Sequence, residues 1–182
     1  MSSPTNPQRR KKKTFFGKYR GTVVTNIDPL ETGRILVQVP DVLGEDPCIW
    51  ASSASPLAGL GMGVFWVPPI DSGVWIEFEG GDPDQAIWTG CWRGAATDKP
   101  ILANASMPGN PPIIIGTVAQ NSIAVSDGPL PPGLATTGIV IQSGLSMIVI
   151  SPEGIRIMAP QIQINGMTII NGGALTVLGA PA

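Results

Sequence analysis

The stretch from Ile148 to Gly166, "IVISPEGIRIMAPQIQING", decides the fold of the C-terminal third of this chain. Isoleucines recur every seven residues at Ile141, Ile148, Ile155, Ile162 and Ile169. A second row, Ile150, Ile157 and Ile164, follows two residues behind, skips Asn171 and resumes at Leu178. On a helix the paired isoleucines would stand about 200° apart around the axis, on opposite faces. Pro152, Pro160, Gly154, Gly166, Gly172 and Gly173 would also break it. On strands, residues two apart share a face, so both rows point the same way. Val149, Arg156 and Gln163 then point outward, and turns fall at Ser151-Pro152, Ala159-Pro160, Asn165-Gly166 and Gly172-Gly173.

Each repeat is thus a strand of about five residues and a turn of about two, spanning at most about 23 Å. That length makes one side of a triangular prism but not a full circuit. Three copies of the chain, each giving one side at every level, close the prism, leave no free strand edge and bury the isoleucines on a three-fold axis. The expectation is an intertwined trimeric β-helix or β-prism about 30 Å long, from six levels about 4.8 Å apart. Its trimer core is Ile141, Ile148, Ile150, Ile155, Ile157, Ile162, Ile164, Ile169 and Leu178. The alternative reading of the same repeat is a meander sheet packed on the preceding domain.

The rest of the composition agrees with an all-β chain. Among 182 residues there are 23 glycines and 19 prolines, and 13% are charged, against a usual quarter. Short strands and many turns suit that mix, and long helices do not. The net charge of −2 hides an uneven distribution. Residues 1–20 carry Arg9, Arg10, Lys11, Lys12, Lys13, Lys18 and Arg20 and no acid; residues 21–94 carry ten acids against Arg34 and Arg93. Residues 1–16 read as a flexible basic arm. Residues 17–94 read as a small closed barrel of the OB type. In "GVWIEFEG", Val74, Ile76 and Phe78 form its core face and Trp75, Glu77 and Glu79 the wetter one. Residues 95–138 read as a Pro/Gly-rich transition in which "IIIGTV" and "SIAV" form short strands, and residues 139–182 as the spike. Cys48 and Cys91 read as reduced and half-buried. No apolar run reaches the roughly 20 residues of a membrane span, and no apolar segment follows the basic arm as in a secretory signal.

Two segments in this order, "GTVVTNIDPLETGRILVQVP" and "GVWIEFEGGDPDQAIWTGCW", resemble the OB domain of phage baseplate assembly protein V and the matching domain of VgrG spike proteins of contractile injection systems. The features that carry the resemblance are the hairpin from Asn26 to Pro40 and the segment from Phe78 to Gly90. The resemblance implies a trimeric central spike in a virion tail baseplate or a cytoplasmically assembled injection particle. Sheath contraction would drive it into a target-cell envelope. A separate baseplate hub protein is then expected on the N-terminal side, with Arg9, Arg10, Lys11, Lys12 and Lys13 as its contacts. A PAAR-like tip protein is expected on Leu175, Val177 and Leu178.

The sequence departs from that family in lacking the VgrG hub domain and an inserted lysozyme-like domain. With no histidine it lacks the iron-binding motif of some phage spikes.

Catalysis is not expected. Without histidine there is no Ser-His-Asp or Cys-His site, and the commonest general base is missing. No cofactor or metal site is expected either: Glu77 and Glu79 read as the polar outer face of the barrel or a trimer contact, Asp82 and Asp84 as caps of a Gly/Pro turn, and Gly59, Gly61 and Gly63 as a flexible inter-strand loop. The rival function for such a barrel is single-stranded nucleic-acid binding, which needs a basic groove with stacking aromatics. Trp50, Trp66, Trp75, Trp88 and Trp92 supply aromatics, but ten acids against two bases repel phosphate. No nucleic-acid partner is therefore expected.

Overall fold

A computed structural model describes residues 13–45, 48–105, 109–130 and 137–168. The chain divides into two compact units, Met1–Asp98 and Lys99–Ala182.

The first unit is a five-stranded closed barrel. Its elements in chain order are β1 (Tyr19–Thr25), β2 (Ile35–Gln38), a single helical turn α1 (Pro40–Leu43), β3 (Cys48–Ser53), the two-residue strands β4 (Ala58–Gly59) and β5 (Met62–Gly63), β6 (Gly73–Phe78) and β7 (Ala86–Cys91). The barrel order is β1-β2-β3-β7-β6, closed by β1 against β6. All neighbours are antiparallel except β3 and β7, which run parallel because the chain crosses over between them. Period-two patterning builds the core: β6 alternates buried Val74, Ile76 and Phe78 with half-exposed neighbours, and β2 alternates Ile35 and Val37. With Val23, Val39, Ala51, Ala86 and Trp88 these fill the interior. Each fully buried valine or isoleucine contributes about 1.5–3 kcal/mol over exposure. Register shifts at Val23/Thr25 and Trp75/Ile76 add the local bend that a barrel of five short strands needs to close.

The basic arm expected to stay flexible to residue 16 is anchored earlier. The Phe15 amide donates to the Gly81 carbonyl at 2.9 Å. Its ring joins Tyr19 and Phe78, with centroids 6.1 and 6.2 Å away. Apolar contact with the core holds this end of the arm, whatever its charge. A second correction concerns Cys48 and Cys91, which lie at the surface rather than half-buried, because both fall at strand ends. Gly59, Gly61 and Gly63 form a tight β4–β5 hairpin instead of an open loop.

The second unit is a five-stranded antiparallel sheet. It comprises β8 (Ile113–Gly116), β9 (Ser122–Ser126), β10 (Gly138–Ser143), β11 (Ser146–Ser151) and β12 (Gly154–Met158), in the spatial order of the chain. The first two strands come from the stretch read as transition. The β10–β11 hairpin turns on Gly144 and Leu145, with Gly144 at φ 56° in the first loop position, where a hairpin of this length favours glycine. One face of the sheet is covered from within the chain: Ala124, Val140 and Val149 pack under Leu102 and Leu130. Val149, expected to point outward, is fully buried. It does lie opposite the isoleucines, but that face has its own cover.

Ile76 sits at the centre of the barrel core beside Trp88. Ile76→Ala is expected to lower barrel stability by about 2–5 kcal/mol, read by denaturant unfolding followed through tryptophan fluorescence.

Candidate functional site

The sheet gathers ten β-branched side chains onto its other face. Cross-strand register aligns them in two columns. One runs Ile113, Val125, Ile139, Ile150, Ile155 across the five strands, and the other Ile115, Ile123, Ile141, Ile148, Ile157. Among the described residues nothing covers them: apart from half-exposed Ile139, exposure runs from 37% at Ile148 to 72% at Ile113. The seven-residue repeat explains the alignment. A two-residue hairpin loop makes the repeat odd, so residue parity flips at each turn while the face is kept. Odd-numbered Ile139 and Ile141 meet even-numbered Ile150 and Ile148, which meet odd-numbered Ile155 and Ile157.

Half of this face was not visible in the seven-residue spacing. Ile113, Ile115, Ile123, Val125 and Ile139 belong to it, but the connections before β9 and β10 are longer than two residues and break the count. The signal available was alternation within "IIIG" and "SIAVS". Conversely, Ile162 and Ile164 repeat the pattern but lie in no strand, and both are more than half exposed. Ile169, Leu175, Val177 and Leu178, and Arg9, Arg10, Lys11 and Lys12 at the other end, lie outside the described residues. Lys13 is described, and its ammonium sits 4.9 Å from the centre of the Phe15 ring.

The face is uncharged. Arg156 emerges from the opposite side, in register with Val149. Monomeric soluble proteins rarely expose a contiguous apolar patch above a few hundred Å². A sheet five strands wide with two unbroken columns of β-branched side chains is therefore a surface for burial against another surface.

The barrel's polar chemistry is spent on its own loops. Asp28 organises the β1–β2 connection. Its Oδ1 accepts from Arg34 Nη2 at 2.7 Å, Arg34 Nε at 3.0 Å and the Leu30 amide at 3.0 Å. Its Oδ2 accepts from the Thr32 amide and hydroxyl, both at 2.9 Å, and from the Arg34 amide at 3.2 Å. The Asp28 side chain is 4% exposed. The Arg34 guanidinium, helped by the Leu30 and Thr32 donors and opposed by burial, holds its carboxyl far below the usual carboxylate range. The Trp88 indole N–H donates to the Gly33 carbonyl at 3.1 Å, tying β7 to the same loop. Gly33 sits at φ 82°, and a Cβ there would lie 3.3 Å from the Phe65 ring. Asn26 reaches across to the Pro68 carbonyl at 3.0 Å.

This arrangement bears on nucleic-acid binding. Arg34 is bound to Asp28 and stacks over Trp50 at 5.0 Å; Arg20 stacks over Trp92 at 4.9 Å and faces Trp75 at 5.8 Å. Trp88 is buried. Among the described residues, Trp66 alone of the five tryptophans presents an exposed ring with no cation over it. Ring faces already occupied by arginine offer a base no open platform. Asp82 caps its turn as expected, accepting from the Asp84 amide at 3.0 Å. Glu77 lies on the barrel's outer face, paired with Lys18. Among the described residues, no cluster of three Cys, Asp or Glu is arranged to hold a metal ion.

A closed barrel followed by a sheet with one bare apolar face defines a structural, assembling protein. Comparison with known families gives the particular kind. Residues 19–92 match the injector OB domain of type VI secretion systems and phage baseplates, and residues 112–176 match the C-terminal trimerisation domain of phage baseplate V. The chain belongs to the phage baseplate V family, a family of structural baseplate proteins that trimerise. No curated protein matches it.

Two outcomes follow for the barrel loop. Because the folded carboxyl titrates below its unfolded value of about 3.9, Asp28 contributes fully above that value, and the contribution is lost as pH falls through the folded value. Asp28→Asn should therefore lower the thermal midpoint near neutrality, and the gap from wild type should narrow as the pH is taken down towards about 2. Gly33→Ala, at a left-handed φ and against Phe65, should cost about 1–2 kcal/mol from backbone strain alone, measured by denaturant unfolding.

Proposed function

We propose that the protein is the central spike of a contractile tail baseplate. Three copies pack their isoleucine faces together into a three-sided β-prism that joins the hub to the tip and pierces the target envelope when the sheath contracts. The bare isoleucine face, lying within the span matched to the family's trimerisation domain, carries this reading. Each copy's meander forms one wall, with its covered Val140–Val149 face outward and its isoleucines on the axis.

The antiparallel meander changes one feature of the expected prism. From β8 to β12 the strand partners are within one chain, so that region closes by packing of faces rather than by pairing between copies. Beyond β12, Ile162 and Ile164 keep the repeat without strand partners among the described residues. Intertwining belongs there: residues 161–165 would pair with neighbouring copies, using the free edge of β12, whose five residues are all exposed. A dry interior packed like a crystal, with no free strand edge, supplies the stiffness that a piercing rod needs.

The ends follow the same logic. The basic arm, Arg9 to Lys13, docks on an acidic surface of the hub. The small apolar end carrying Leu175, Val177 and Leu178 is capped by a PAAR-like tip protein. The role is mechanical, and no catalytic step is needed.

Light scattering of the full-length chain should return about three times 18.9 kDa. Ile148→Asp, which places a carboxylate on the axis, should return a single-chain mass; a wild-type mass of one chain overturns the proposal. Ile155 and Ile157 give a sharper reading, because in a lone chain they are largely exposed. Ile157→Ala would then cost under about 0.5 kcal/mol, whereas buried on the axis it costs about 2–5 kcal/mol per copy. Deleting residues 1–13 should weaken hub attachment while leaving the trimer mass unchanged.

A further inference from the structure

The baseplate role leaves one surface of the barrel unexplained. From Pro47 to Ile70 the sequence holds no charged residue, although residues 21–94 as a whole carry ten acids and two bases. The middle of this stretch is the β4–β5 hairpin and the segment after it. It presents Leu57, Leu60, Met62, Phe65 and Trp66 to solvent, with Leu60 at the turn fully exposed.

The backbone beneath these side chains is held in place. Ala58 pairs with Gly63 and Gly59 with Met62. The Val64 amide donates to the Leu57 carbonyl at 3.0 Å, and the Ser55 hydroxyl lies 2.9 Å from the Leu57 carbonyl and 3.0 Å from that of Val64. A hairpin fixed in this way has little conformational entropy left to lose on docking. Beside it lies a cleft of about 340 Å³, lined by Thr32, Gly33, Ser53, Leu57, Met62 and Trp66 among others. The same face therefore carries an apolar knob and a hollow of mixed polar and apolar lining.

We propose that this face docks on the barrel of a second copy within the trimer, the Leu60 tip of one barrel entering the cleft of the next. The inference rests on the trimer reading. Three observations select a copy of the chain as occupant. Trimerisation through residues 112–176 tethers three barrels at high effective concentration, so even a weak contact is populated. Three acidic barrels repel each other except where an uncharged surface faces the neighbour, and this stretch is such a surface. A three-fold ring also needs a heterologous interface, in which one patch meets a different patch on the next copy, and a knob beside a hollow satisfies that requirement. Tryptophan, phenylalanine and methionine are the residues enriched at the buried centres of protein interfaces. A lipid surface would take the same apolar side chains, but the barrel's net acidity opposes approach to an anionic membrane.

The test uses the full chain carrying Leu60→Asp, with Leu60→Ser as an uncharged second variant. Because Leu60 is fully exposed, both should keep the wild-type circular dichroism and barrel stability. Masses are measured first. A wild-type mass of one chain removes the trimer reading itself, and this inference with it. Given a trimeric mass for all three proteins, X-ray scattering should show a larger radius of gyration for both variants, as the barrels separate. Thermolysin should cleave between residues 57 and 66 on the order of tenfold faster than in wild type. Unchanged scattering and cleavage in trimeric variants would overturn the barrel contact while leaving the spike intact. Wild-type protein floating with phosphatidylcholine vesicles, and the variants failing to float, would overturn it by assigning the face to lipid.

Discussion

Ten β-branched side chains on one side of a five-stranded sheet have no cover among the described residues, and the rest of the architecture answers to that fact. The opposite side of the same sheet is covered by Leu102 and Leu130, so the sheet has one finished face and one unfinished one. Burial of apolar surface is the largest favourable term in folding and in most association. A face of this size therefore supplies the drive for assembly, and the chain's own fold is complete only when the face is closed. The family's trimerisation domain spans this same sheet.

The barrel is organised differently. Its interior is closed and the polar groups of its β1–β2 loop are satisfied locally. Asp28 collects Arg34, Thr32 and Leu30, Trp88 holds Gly33, and arginines lie over Trp50 and Trp92. Such self-satisfied loops make a stiff block rather than a binding groove. The residues that carry the family resemblance, from Asn26 to Pro40 and from Phe78 to Gly90, are those that lock one connection and one turn of the barrel. Both hold the barrel's shape.

Parts of the architecture were legible because they depend on local parity. Alternation in "GVWIEFEG" gave the inner face of β6 residue by residue, since side-chain direction along a strand has a strict period of two. Turn chemistry placed Asp82 as a cap for the same local reason. The isoleucine rows from Ile141 to Ile157 followed from an odd repeat, which keeps the face through each two-residue hairpin. Ile113, Ile115, Ile123, Val125 and Ile139 escaped, because the length of a loop interrupts the count without altering the face. The anchoring of Phe15 escaped as well: its partners Tyr19, Phe78 and Gly81 lie partly far along the chain, and the run of basic residues before it reads as solvated.

The sequence by itself determined that the chain is all-β, that the isoleucine rows share one face, and that a small barrel precedes them, because strand parity and turn residues act over a few positions. Only the tertiary structure decided that β8 to β12 pair as a meander within one chain, that Val149 is buried, that Cys48 and Cys91 are exposed, and that Arg34 is committed to Asp28. Each of these depends on which distant segments come together, and that choice is made by long-range packing rather than by any pattern carried in the segment itself.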